Sequence, residues 1–438
     1  MNIRAGYRAP LARMEDQESF SMKPRIRWAP PYVAALIMGA LLFPELASAL
    51  TLEQALSLAE QHAPSLDVQA ANLQAARSAA IPAGELPDPK LKLGLQNVPI
   101  EGDARWQLDQ EAMTMQMVGV MQDVPNRAKR RARVEAAQAS VALAGVQQTI
   151  ERLSVRQETA EAWIASFAVE QKLSLFKQLY SENQLFSRAV QARIAGGGGQ
   201  AADSVLPKQE AALLAEQEDE LLRNQLVARA ALRRWIGEAA DQPLTGDWPQ
   251  WLADVNHYQH NLNRHPGLLA FDPMTREAEA KVRQAIAENT PDWSWGVDYL
   301  RRGREYGDMV NLSVSFDLPL FTGSRQDPKI AAERARLEQI EAQRQATLRM
   351  HNQELAADLA EYQRLDRALT RLEQTFLPLA GEKVRLAMAD YRVGKGELIA
   401  VIDARRQLVE TRQRRIDTAR DRALSNARLH FAFGDTQP

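Results

Sequence analysis

Two histidines in His257-Tyr-Gln-His260 have a helical spacing that can bring two imidazoles to one metal ion, but the glutamate of a zinc hydrolase motif is missing. Ordinary surface histidines are the expected reading. The run Gly196-Gly-Gly-Gly199 has the backbone freedom to wrap a phosphate, yet no Gly-Lys-Ser/Thr follows it, so a flexible turn is expected. Arg127-Ala-Lys-Arg-Arg-Ala-Arg133 concentrates cations at what reads as a helix start, where the helix dipole opposes them. Such a run needs an outside counter-charge or simple solvation. No nucleophile stands with a base and an orienting group, so no enzyme activity, no metal site and no cofactor are expected. Zero cysteines exclude disulfides, thiolate metal sites and a lipid carried on an N-terminal Cys. A net charge of -2 argues against nucleic acid, whose phosphates demand a cationic excess.

The elements behind these residues are long and lean. Aromatics are 6% and charged residues 25% of 438, a composition that suits extended, alanine-rich, solvated helices better than one thick core. At the N-terminus, Arg25 and Arg27 precede the apolar run Val33–Phe43 and the site Ala47-Ser48-Ala49. Together they read as a cleaved secretory signal over residues 1–49, with Met22 a more normal beginning than Met1. The apolar run falls short of the roughly 20 residues of a spanning helix.

The rest of the chain reads as one plan written twice, over 50–239 and 240–438. Gln61-His-Ala-Pro64 is echoed by Asn263-Arg-His-Pro266. Each half then shows a helix, an alternating hairpin (about 89–124 and 292–320), a long helix, a tip turn (about 194–202 and 392–398) and a return helix. A helix of about 65 residues would span roughly 100 Å, which implies a rod or a tube. Pro378 and Gly381 predict a bend in the second long helix. Seven-residue steps through Leu214, Leu221, Ala228 and Trp235, and through Ile402, Val409, Ile416 and Ala423, predict a coiled-coil seam.

The hairpins alternate strictly. Leu91, Leu93 and Leu95 oppose Lys90, Lys92 and Gln96, and Met113, Met115, Met117 and Met121 oppose Thr114, Gln116 and Gln122. Trp293, Trp295, Val297 and Tyr299 are followed by Val310, Leu312, Val314 and Phe316, against Ser, Asn and Asp. Either a soluble antiparallel sheet covers a helix layer, or the apolar face meets lipid. Export, strands near the 9–11 residues of a tilted membrane strand, and aromatics at strand ends favour lipid. Met, Leu and Val are then expected to face lipid, with Thr, Gln, Ser and Asn facing water. An open sheet cannot cross a bilayer, and four strands cannot close a barrel, so several chains must pool their strands.

Leu50-Thr-Leu-Glu-Gln-Ala-Leu56 with His62-Ala-Pro64, and Tyr391-Arg-Val-Gly394-Lys-Gly-Glu-Leu-Ile-Ala-Val-Ile-Asp403-Ala, make the chain resemble the TolC-like outer-membrane efflux family. Met113-Thr-Met115, Gly119-Val-Met-Gln122 and Pro291-Asp-Trp-Ser-Trp295 are similar to its heavy-metal (cobalt-zinc-cadmium type) branch. The resemblance implies a mainly α fold with membrane β. In it, a homotrimer builds a twelve-stranded β-barrel in outer-membrane lipid and a periplasmic α-barrel of long antiparallel helices. It also implies a passive exit duct that works with a periplasmic adaptor and a proton-driven inner-membrane pump of the resistance-nodulation-division type. Drugs or other organic compounds are the alternative cargo. A soluble periplasmic coiled-coil scaffold is the alternative of a different class.

The resemblance further assigns adaptor contact to Val393 and Gly394 at one tip, matched by Ala195 and Gly196 at the other. It assigns gating to Asp403 and, in the first repeat, Asp203, with Tyr391 bracing the closed tip. Here the chain departs from the family pattern, because the first of two expected gate acids is Ala400 and the arginine expected beyond the tyrosine is Gly396. Under threefold symmetry Asp403 would form a ring of carboxylates that attracts cations. The run 127–133 would lie at the periplasmic barrel rim, beside anionic headgroups or simply in water.

Overall fold

The structure, a computed structural model, describes residues 49–251 and 254–434. The export leader expected over 1–49 lies, Ala49 apart, outside the described residues. The first elements are α1 (Leu52–His62), α2 (Pro64–Ala80), β1 (Lys90–Gln96), β2 (Met115–Val124), α3 (Arg127–Ala195) and α4 (Leu206–Ile236). There follow α5 (Val255–Asn261), α6 (Pro266–Leu269), α7 (Phe271–Ala287), β3 (Trp293–Arg301), β4 (Met309–Phe316), α8 (Gln326–Arg371), α9 (Leu377–Arg392) and α10 (Leu398–Phe433).

Local chemistry sets the boundaries. Thr51 caps α1 in a reciprocal box with Gln54, and Pro64 occupies the first turn of α2, where its missing N–H costs nothing. Asn126 starts α3 by accepting from the Lys129 amide at 2.9 Å. With no proline or glycine run before Gly196, α3 continues for 69 residues, roughly 100 Å at 1.5 Å per residue. Between α8 and α9 the chain makes a π-helical turn over Leu372–Phe376. Proline lacks an N–H and crowds the carbonyl four residues back, and the wider turn just ahead of Pro378 absorbs this. The interruption therefore lies upstream of the expected Pro378–Gly381 position, and Gly381 stays inside α9.

Packing gathers along α3. Leu214, Leu221, Val409 and Ile416, all from the seven-residue seams, meet Leu175, Phe176 and Leu179 of α3 in one cluster. Ion pairs add register: Lys172–Asp417 at 2.7 Å and Arg412–Glu182 at 2.9 Å join α3 to α10, and the buried Arg405–Glu210 pair at 3.3 Å joins α10 to α4. Nearer the sheet, Trp163, Phe167, Leu232 and Phe431 close a second cluster around Leu50.

A buried histidine stack couples this packing to pH. The His265 ring accepts from the Gly267 amide at 3.0 Å and lies 3.6 Å from the His351 ring and 5.0 Å from Phe433. Burial first, and His351 second, lower the His265 pKa to about 4. Glu354, 2.6 Å from His351 Nδ1, is the nearby carboxylate. A folded-state value below the ordinary 6.5 means the unfolded chain takes a proton first, so stability falls as pH drops from 6.5 towards 4. The loss is on the order of 3 kcal/mol across that window. The Tm of the purified protein should fall between pH 7 and pH 5, and His265→Asn, which keeps the capping acceptor, should flatten the slope. An unchanged slope would show that the stack does not titrate on unfolding.

The strands form one antiparallel sheet in the order β1-β2-β3-β4, so the two hairpins join through β2 and β3. Its register fixes which side chains share a face. One face carries the rows Leu91–Val120–Val297–Leu312, Leu93–Val118–Tyr299–Val310, and Val124–Trp293–Phe316. The other carries Lys92–Gly119–Asp298–Asn311, Lys90–Met121–Gly296–Ser313, and Gly94–Met117–Leu300–Met309. This corrects the expectation for the methionines. Met115, Met117 and Met121 lie on the polar face with Lys90, Lys92 and Asp298, while Gln116 and Gln122 share the apolar face with Val118 and Val120. The reason is close packing at Gly119, where a side chain would sit 2.0 Å from Asp298 Oδ1. Only glycine fits opposite Asp298, and the register carries every other odd-numbered residue of β2 to the same side.

Candidate functional site

The two tip turns lie side by side at the far end of the helices from the sheet, and each is built by glycine. In the second turn Val393 (φ -89°) is followed by Gly394 at φ +80°. In the first, Gly196 (φ -79°) is followed by Gly197 at φ +75°. Only glycine enters that left-handed region without strain. The residues in the place of Val393-Gly394 are therefore Gly196-Gly197, one step on from the expected Ala195-Gly196. Val393 is 69% exposed, whereas the first turn offers no side chain at that point. The amides of Gly196, Gly197 and Gly198 donate to Ala192, Ile194 and Arg193 carbonyls at 3.0 Å, so the glycine run is a helix stop and no phosphate cradle.

Tyr391 is buried among Phe186, Val190, Leu398, Val401 and Ile402. Its partner was missed in the sequence. The Arg193 guanidinium lies 3.9 Å from the Tyr391 ring centroid and donates to the Tyr391 carbonyl, while its Nε donates to Gly198 O at 2.8 Å. A cation from the first tip thus clasps the second, whereas the family resemblance implies an arginine at the position of Gly396. Burial raises the Tyr391 pKa, Asp203 adds to it and Arg193 opposes it, so the phenol stays neutral at physiological pH. Its hydroxyl is buried, with the Arg193 guanidinium as its polar neighbour.

Asp203 and Tyr391 line one cavity of about 620 Å³ together with Arg193, Gln200 and Glu397. The Asp203 carboxylate accepts from the Gln200 amide at 3.0 Å and so also starts the short helical turn that leads into α4. Asp403 does not line this cavity. It stands exposed on α10 between buried Ile402 and Ala404. The other candidates have local roles. His260 contacts the Asn256 carbonyl at 2.6 Å and His257 the Asn261 amide at 3.0 Å, both within α5. No group of three or more His, Asp or Glu fit to hold a metal occurs among the described residues.

The described residues thus form a four-stranded sheet with one largely apolar face, joined to long helices that end in paired tips. Residues 257–435 match the family model described as outer membrane efflux protein. A crystal structure of a membrane protein from Pseudomonas aeruginosa is 20% identical, with TM-score 0.76, covering 87% of this chain and 90% of that one. The outer membrane protein VceC from Vibrio cholerae is 21% identical, with TM-score 0.70, covering 87% of this chain and 96% of that one. CusC, a transmembrane channel, is 16% identical, with TM-score 0.74, covering 87% of this chain and 92% of that one. No curated protein matches the chain. The family model covers less than half of the chain, and the solved structures, all under 25% identical, show that the chain shares the fold of these outer-membrane proteins.

Proposed function

We propose that the chain, as two structural repeats over 50–239 and 240–438, is the outer-membrane exit duct of a tripartite efflux system and carries heavy-metal cations. The observation that carries the duct reading is the sheet. It has a largely apolar face, and the outer edges of β1 and β4 have no partner strand among the described residues. Unpaired backbone groups cost several kcal/mol each in hydrocarbon, so further copies must supply the missing strands. Three copies at four strands each make the twelve-stranded barrel that the resemblance implies. The metal reading rests on Met113-Thr-Met115, Gly119-Val-Met-Gln122 and Pro291-Asp-Trp-Ser-Trp295. The adaptor would meet the tips at Val393-Gly394 and around Ala195, Gly196 and Gly197, and an inner-membrane pump would drive export.

Deleting the gene and titrating growth against zinc, cadmium, cobalt, nickel, copper and several drugs tests the cargo. Sensitivity to drugs alone rejects the metal reading. Purification as a detergent-free monomer that passes no current rejects the duct itself.

Asp403 is proposed as the carboxylate ring of the pore. Its exposure on α10, free of any ion pair among the described residues, leaves its charge available to a passing cation. Asp403→Ala should lower the cation-to-anion permeability ratio about threefold or more in planar bilayers, as expected when a ring of like charges is removed. Unchanged selectivity rules the ring out.

A further inference from the structure

The first two turns of α3 hold Arg127, Lys129, Arg130, Arg131 and Arg133. Two of these cations have carboxylate partners. Lys129 Nζ lies 2.7 Å from Asp292, and Arg131 Nε lies 3.1 Å from Glu135. Arg127, Arg130 and Arg133 make no side-chain hydrogen bond or ion pair among the described residues, and Arg130 Nε is fully buried without an acceptor. A buried, unpaired guanidinium donor is costly, and the positive end of a helix dipole beside it raises the cost. The surroundings are equally specific. Arg127, Arg130 and Arg131 line an open cavity of about 710 Å³ whose remaining walls are Gly84, Ala128 and Val134. Gly84 packs so closely that a side chain there would meet Val134 at 2.8 Å. The cavity therefore combines three guanidinium groups with an apolar wall.

Its position names the ligand. α3 begins three residues after β2 ends, so the cavity lies at the helix-side border of the sheet. Trp293, Phe316, Leu318, Leu320 and Phe321, from the same border, are all exposed. Aromatic and apolar side chains at the end of an apolar sheet mark the level of lipid headgroups.

We propose that this cavity is a binding site for the phosphate of an anionic membrane phospholipid, with the Arg127, Arg130 and Arg131 guanidinium groups donating to its oxygens and an acyl chain covering Val134 and Ala128. Guanidinium pairs with phosphate in a charge-assisted fork, which supplies the acceptor that Arg130 lacks. The lipid source rests on the outer-membrane reading above, whereas the phosphate chemistry does not.

The test titrates phosphatidylglycerol in mixed micelles, and separately inorganic phosphate, into the full-length protein in detergent, with bound lipid read by native mass spectrometry. The wild type should hold about one phosphatidylglycerol per chain, and the Arg127→Gln/Arg130→Gln double variant should bind it about tenfold or more weakly, in line with lost charge-assisted bonds. Arg130→Lys keeps the charge and the fold while removing the buried Nε donor, and should give an intermediate loss. Equal lipid affinity in all three proteins overturns the site. Inorganic phosphate binding as tightly as the lipid overturns the lipid assignment and makes the cavity a free-phosphate site. Conductance is recorded on the same preparations. A wild type that conducts but holds no lipid sinks this proposal alone, while one that holds lipid but never conducts sinks the duct reading and leaves the site standing.

Discussion

Arg193→Ala is expected to shift the paired tips about a hundredfold towards separation, seen in planar bilayers as a larger and more persistent single-channel conductance. The estimate follows from what Arg193 touches. Its bond to Gly198 O lies within its own turn, but the bond to the Tyr391 carbonyl and the contact with the Tyr391 ring cross from the first tip to the second. A hydrogen bond from a charged donor contributes about 1.5–3 kcal/mol, and a cation over an aromatic face about 0.5–2 kcal/mol. A total of about 3 kcal/mol corresponds to roughly two powers of ten in an equilibrium. Arg193→Lys should fall between, because an ammonium keeps the ring contact but loses the planar fork. Tyr391→Phe should change conductance less than Arg193→Ala, since it keeps the ring under the guanidinium and the backbone carbonyl that Arg193 bonds. Wild-type conductance in Arg193→Ala, with the oligomer intact, would mean that the clasp does not restrain the tips.

The clasp also shows where sequence reading stops. Helix and strand are local patterns, so the alternation at Leu91–Leu95 and Val310–Phe316 and the unbroken run after Asn126 were legible directly. A cation at the last turn of a helix is ordinary, and nothing near Arg193 points to a tyrosine 198 residues away. The contact becomes visible only when the two tips are brought together. The tip glycines show a finer limit. Four glycines in a row leave the left-handed position undetermined by one residue, and only the backbone angles single out Gly197. Pro378 announced a helix defect, but a proline can displace the defect upstream into a π turn, as it does over Leu372–Phe376.

The faces of the sheet were ambiguous for a related reason, and they set the second large expectation. Both parities of β2 are partly apolar, with Met115, Met117 and Met121 on one side and Val118 and Val120 on the other. The strand alone cannot choose between them. Pairing chooses, because Val120 stands between Leu91 and Val297 while Gly119 stands between Lys92 and Asp298. A charge placed on the two faces should therefore have opposite consequences. Leu312, 76% exposed on the apolar face, would put a guanidinium into hydrocarbon as Leu312→Arg. In the proposed barrel the cost is about 2–4 kcal/mol near the bilayer midplane, and the three copies of the proposed trimer would bring it to about 6–12 kcal/mol. That is comparable to the entire stability of a typical domain, so the membrane-inserted oligomer should be nearly absent from outer-membrane fractions. Met117→Arg adds the same charge to the other face, in the row of Gly94 and Leu300 and next to the row that holds Lys92 and Asp298. It should insert at close to wild-type levels and reduce cation conductance instead. The reverse pattern, with Leu312→Arg inserted and Met117→Arg lost, would return the methionines to the lipid side and overturn the proposed barrel.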